Sequence, residues 1–270
     1  MSNPDAFASL PATPRMPAVF VGHGSPMNAI EDNRFSRSWR KLGNSLPRPS
    51  TILCVSAHWM TRGTTLVHVG RHPKTIHDFG GFPAELYAQL YPAPGAPEVA
   101  EAVIGLVRSV PILADTEWGL DHGAWSVLMH LFPAADIPVL QLSLDLSRSP
   151  AEHFELAREL KPLRDKGVLI VGSGNLVHNL RAMRPGAPPY DWAEAFDAHL
   201  TARLEARDFQ AAVNYKAMGD IVRLAHPTAE HYLPILYPLG VSDEKDELEF
   251  FNAAFDLASI SMRSFTFKSV

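Results

Sequence analysis

Cysteine is nearly absent. Cys54 stands alone among 270 residues, so no disulfide can form within the chain and no cysteine-based zinc site can be built. It lies in the apolar run Ile52-Leu53-Cys54-Val55, where a small buried hydrophobe is the expected role. Long apolar runs are missing too. No stretch approaches the about 20 residues of a membrane helix. Residues 1–15 are polar and proline-rich, without the apolar core of a signal peptide. The expectation is a cytoplasmic protein with a flexible leader over 1–15. Basic clusters are also lacking, and the formal net charge is −5, so neither nucleic acid nor a membrane is expected as a partner. Two families of catalytic loop are absent. There is no G-x-S-x-G nucleophile elbow, which a serine hydrolase of the α/β type requires. The turn Gly172-Ser173-Gly174 follows an apolar run, but it extends to neither G-x-G-x-x-G nor G-K-[ST].

Hydrophobic residues make up 46% and charged residues 20%, enough for a sizeable core. Strands are expected at Ala18–Val21, Thr51–Ala57, Thr64–Val69, Pro111–Leu113, Pro138–Leu144, Gly167–Val171 and Ser259–Phe267. Helices are expected at Arg34–Leu42, Ala84–Leu90, Val99–Val107, Trp125–Leu131, Ser149–Leu163 (Ser149 as N-cap) and Trp192–Glu205. Strands alternating with helices imply an α/β fold: one layered domain over 16–270, with a central, mostly parallel or mixed sheet flanked by helices. In such sheets ligands bind beyond the carboxyl ends of the strands.

Histidine is the abundant feature, with twelve residues. His23 sits between two glycines after the first strand, His58 closes the second, and His178 follows Gly174-Asn175-Leu176-Val177. His231 lies in His226-Pro227-Thr228-Ala229-Glu230-His231. Each alone could be a turn or core histidine. Together, His23, His58, His178 and His231 are what a mononuclear metal site needs, with Asn28, Ser56, Asn175 and Asn179 as polar groups able to steady the rings. His122, beside Asp121 in an expected loop, is a candidate to position substrate or carry a proton. His77, beside Asp78 in the long Pro/Gly-rich segment 71–97, is a candidate to line the pocket. His68, His72, His130, His153 and His199 read as surface or helix-face residues without a role.

The motifs Gly22-His23-Gly24-Ser25-Pro26-Met27, Ser56-Ala57-His58-Trp59, Ile76-His77-Asp78-Phe79-Gly80-Gly81-Phe82-Pro83, Leu120-Asp121-His122-Gly123, Gly174-Asn175-Leu176-Val177-His178-Asn179 and His226–His231 occur in this order. In this the chain, from about Pro17 to its end, resembles the 4,5-DOPA extradiol dioxygenase family, of the class III extradiol ring-cleavage dioxygenases. The resemblance implies one divalent metal per chain, Fe(II) for activity with Zn(II) as another occupant, and a small aromatic diol and O₂ as substrates. It carries His23, His58 and His231 over as metal ligands. His178 carries over as a fourth ligand or as the catalytic acid/base, and His122 as a substrate contact. More distant relatives use a carboxylate as third ligand, so Glu230 stays the alternative to His231. A zinc hydrolase built on the same histidines is the competing reading, and a metal-binding scaffold a third.

Overall fold

The computed structural model describes residues 6–269. Six strands form the central sheet: β1 (Ala18–Gly22), β2 (Thr51–Ser56), β3 (Val139–Gln141), β4 (Val168–Gly174), β5 (Glu247–Phe251) and β6 (Ser264–Lys268). Their order is β5-β6-β1-β4-β2-β3. The strands β1, β4, β2 and β3 run parallel, while β6 is antiparallel to β1 and β5 to β6. The sheet is therefore mixed, as expected for this α/β chain.

Its two faces carry alternate residues of each strand, the period-2 rule of a pleated backbone. Phe20, Leu53, Val55, Leu140 and Ile170 enter one core. That face is covered by α2 (Pro97–Leu106), α4 (Pro150–Leu160), α5 (Asp191–Glu205) and α6 (Leu236–Val241). Val19, Val21, Ile52, Cys54 and Val171 enter the other, against α1 (Arg34–Ser45) and α3 (His122–Leu131). Because both faces are covered, the central strands read as unbroken apolar runs. Ser149 caps α4 in a reciprocal capping box with Glu152.

Several expectations are corrected. Thr65–His68 does not join the sheet; it pairs in parallel with Ile112–Asp115 as a separate ribbon. The sheet's edges are β5 and β3 instead, β5 being an alternating Glu-Leu-Glu-Phe-Phe segment whose partner β6 pins its register. His122 is not in a loop. Asp121 accepts the backbone N–H of Ala124 at 3.2 Å and starts α3, with His122 as its first residue. His68, His130 and His153 are buried rather than on the surface. His153 donates from Nε2 to the Asp145 carbonyl and accepts from the Tyr237 hydroxyl at 3.0 Å, so a polar ring is accommodated in the core. Of the expected leader, residues 1–5 lie outside the described residues. Ala6–Ser9 form a helical turn with Ala6 buried, and Thr13 and Met16 hydrogen-bond to Asp165 and Arg164.

Candidate metal centre and active-site cavity

The carboxyl ends of β1, β4 and β2 lie side by side, with Gly22 opposite Gly174 and Ser173 opposite Ser56. The residues that follow are thereby delivered to one edge. The N–H of His23 continues the ladder onto the Gly174 carbonyl at 3.1 Å, and that of Ala57 onto the Ser173 carbonyl at 2.9 Å. His231 arrives from a distant segment, and its carbonyl accepts the N–H of Asn175 at 2.9 Å. Gly174 allows this approach, since a Cβ there would collide with the same carbonyl. His178 is placed by its N–H to the Ala225 carbonyl and by a bridge to Ile260.

The structure brings His23, His58, His122, His178 and His231 to one cavity of about 440 Å³. The Nε2 atoms of His23 and His58 are 3.1 Å apart. Ring centroids are separated by 5.2 Å for His23–His231 and 5.0 Å for His58–His231. His178 stacks on His231 at 3.4 Å. Donor atoms of His23, His58 and His122 lie within 4.8 Å of one another, as do those of His178, Glu230 and His231.

The opposite ring nitrogens show how the imidazoles are held. Ser173 donates its hydroxyl to the Gly123 carbonyl at 2.5 Å, so it accepts Nδ1–H of His23 at 3.0 Å. His58 turns Nδ1 to the Asp78 carboxylate at 3.2 Å. His231 turns Nδ1 to Glu230 at 3.2 Å. In His23 and His231 this hydrogen bond draws the proton to Nδ1, and in His58 the carboxylate charge beside Nδ1, at ion-pair distance but off the hydrogen-bond line, favours the same tautomer, which leaves the Nε2 lone pair for a ligand. Two neutral nitrogen lone pairs 3.1 Å apart repel each other unless a proton or cation lies between. Nitrogens bound at about 2.0–2.1 Å to one ion come about that close together. The donor set therefore fits a metal cofactor.

Burial reinforces this. It holds His23, His231 and His122 below the ordinary imidazole value, with the neighbouring histidines adding to the effect. His178 is pushed down to about 3, by burial first and then by His226, His58 and His122. Neutral imidazoles are the form that binds metal. Burial alone would raise the Asp78 carboxyl, but contacts with His122 and His58 outweigh it and hold Asp78 well below the usual carboxylate range.

Of the pair His77-Asp78 expected to line the pocket, it is Asp78 that reaches the cavity. It accepts the backbone N–H of His122 at 2.9 Å, and its other oxygen stands 3.0 Å from His122 Nδ1, at ion-pair distance but off the hydrogen-bond line. His77 does not line the cavity. Its Nε2 donates to the Gln89 carbonyl at 3.0 Å and its ring packs on Trp125. Ser173, expected in a turn, lies instead within the last residues of β4, paired with Ser56 of β2. The four expected supporting groups act through backbone or carboxylate rather than imidazole nitrogen. Asn28 donates to the His23 carbonyl, Ser56 to Asp121, Asn175 to the Ser261 carbonyl and Asn179 to that of Leu224. Glu230, besides holding His231, accepts the Thr228 hydroxyl at 2.8 Å and borders a different hollow.

The model of the family described as the catalytic LigB subunit of aromatic ring-opening dioxygenase matches residues 13–267. The chain belongs to this family. It is 47% identical over 258 residues to a 4,5-DOPA dioxygenase extradiol of Escherichia coli (strain K12), covering 93% of this chain and 94% of that one. It is 38% identical to the Beta vulgaris protein of the same description, over 93% and 96% of the two chains. A crystal structure of an uncharacterized protein from Escherichia coli K12 superposes with a TM-score of 0.82 at 42% identity, over 94% of this chain and 100% of that one. LigB-family membership makes the protein an extradiol ring-opening dioxygenase, an oxidoreductase acting on an aromatic substrate with O₂, and does not favour the hydrolase reading. No helix among the described residues is long and apolar enough to cross a membrane.

Proposed function

We propose that the protein opens small catechols, DOPA among them, beside the diol, with Fe(II) held by Nε2 of His23, His58 and His231. The observation that carries this reading is the shared arrangement of those three rings, each with an oxygen within 3.2 Å of Nδ1 and no oxygen partner on Nε2 among the described residues. Bound there, Fe(II) would supply Lewis acidity toward the catechol oxygens and a redox path between ring and O₂, which Zn(II) lacks. Zinc competes well for imidazole sites, so zinc in purified protein is compatible with this function. Glu230 serves as the orienter of His231 rather than its replacement. Both oxygen atoms of O₂ enter the product, so the reaction needs no external reductant.

The chain's own residues bind, orient and move protons. Phe79, Phe82, Leu180 and Ile260 wall the cavity, where they flank an aromatic ring and displace water. His178 faces the cavity as a half-buried neutral imidazole whose ring makes no hydrogen bond among the described residues, and it takes the catechol proton and returns it later. His122, beside Asp78, contacts the substrate. His77 stands behind the cavity wall, its ring against Phe79. The test is anaerobic Fe(II) loading followed by oxygen-electrode assay with DOPA. Oxygen uptake with a ring-opened semialdehyde supports the reading, and ester hydrolysis without uptake overturns it.

A further inference from the structure

Among the described residues the cavity wall carries two carboxylates, Asp78 and Asp256, and neither lysine nor arginine. Asp78 is occupied by His58 and His122. Asp256 is half-buried and has no ion-pair partner among the described residues. Burial raises its carboxyl above the ordinary value, against a smaller lowering by the backbone N–H of Leu257, and like-charged Glu31 adds to the rise. A carboxylate so placed lacks a cation.

Its position is fixed. Asp256 pairs with Ile260 in a short hairpin, and Ile260 bridges to His178. The turn between them holds Leu257 and Ala258 at φ 50° and 65°, a left-handed conformation that costs non-glycine residues energy and persists only where surroundings enforce it. Backbone N–H groups of Arg184 and Tyr190 enforce it by donating to the Leu257 and Ala258 carbonyls at 2.9 and 3.2 Å. The Arg184 guanidinium itself lies over the Tyr190 ring, and Arg263 is paired with Asp197. A cavity of about 440 Å³ accommodates one ring with a short side chain.

We propose that Asp256 makes the enzyme selective for catechols whose side chain ends in a protonated amine, against those ending in a carboxylate. The inference rests on the ring-opening reading above. A cationic side chain supplies the partner Asp256 lacks, while an anionic one meets uncompensated negative charge. A side chain bearing both charges gains at one end and loses at the other, so it ranks between them.

The test compares dopamine, catechol and 3,4-dihydroxyphenylacetate in oxygen-uptake assays of the Fe(II)-loaded enzyme, with anaerobic calorimetric binding of dopamine and 3,4-dihydroxyphenylacetate alongside. Expected is the order dopamine, catechol, 3,4-dihydroxyphenylacetate in kcat/KM. Asp256→Asn should lower the dopamine-to-catechol ratio about fivefold to tenfold, mainly through KM, the scale of one partly solvated ion pair. Asp256→Lys should raise kcat/KM for 3,4-dihydroxyphenylacetate, a gain that misfolding cannot produce. Equal kcat/KM for the three substrates, or a ratio unmoved by Asp256→Asn, overturns the inference and leaves ring opening intact. Uptake with none of them overturns ring opening, and the anaerobic binding ratio then judges Asp256: preference for dopamine that Asp256→Asn removes supports it, and no preference overturns it.

Discussion

The carboxylate of Asp78 lies 3.2 Å from Nδ1 of His58. It ties an irregular loop to the end of a central strand and draws the ring proton away from Nε2. Asp78→Asn keeps the acceptor for the His122 N–H but removes the charge. Metal affinity should fall about 10–100-fold, the usual effect of losing a group that orients a metal-binding histidine. A competitive chelator titration reads this directly, and unchanged affinity would deny Asp78 that role.

His58→Ala and His178→Gln should separate binding from proton transfer. The first should lose most of the bound metal by elemental analysis. The second should retain it while kcat falls on the order of 10²–10⁴, the scale of general acid–base catalysis. If His178→Gln loses metal as His58→Ala does, His178 is a ligand, and His122 becomes the next proton carrier.

Stability of the chelator-treated protein should fall on acidification. Burial lowers His153 and His226 to about 4, despite hydrogen bonds to the Asp145 and Leu176 carbonyls. Unfolded histidine titrates near about 6.5. Between these values the unfolded chain binds the extra protons, so each residue's contribution is present above about 6.5 and is lost as pH falls toward about 4. The slope is about 1.4 kcal/mol per pH unit for each histidine. Urea denaturation from pH 8 to 4 should therefore show a shallower loss for His153→Gln than for wild type. Parallel curves would contradict the assignment.

Arg164 and Asp246 form a fully buried pair, with Arg164 Nη1 2.5 Å from the carboxylate and Nε 2.6 Å from the Met16 carbonyl. Asp246→Ala strands a guanidinium in the core. It should cost about 3–5 kcal/mol in urea denaturation, as breaking a buried pair on one side does. A loss below about 1 kcal/mol would mean that water reaches the arginine.

The parts legible in the sequence were those set by local pattern. Apolar runs marked β1, β2 and β4, Gly22 closes β1 just before His23, and His178 lies past Gly174, the last residue of β4. Ser149 announced α4. What pattern could not show were pairings between distant segments. Thr65–His68 looked like a sheet strand because alternation does not name a partner. His153 reads as a surface or helix-face residue and does lie on α4, but its burial depends on an acceptor and a donor, Asp145 and Tyr237, that lie outside that helix. The same limit hid Asp78: the dipeptide His77-Asp78 stood out, but only the path of the loop decides which side chain turns inward. An acidic neighbour in a histidine-rich loop is the signal that could have raised Asp78.

The most direct test of the account is a single turnover assay under ¹⁸O₂ with the Fe(II)-loaded protein and a catechol, read by mass spectrometry of the product. The aldehyde oxygen exchanges with water, so the new carboxylate is the informative group. The account predicts a ring-opened semialdehyde retaining one labelled atom in that carboxylate. A product whose new oxygen comes only from water, or a catechol recovered with its ring closed, would contradict it.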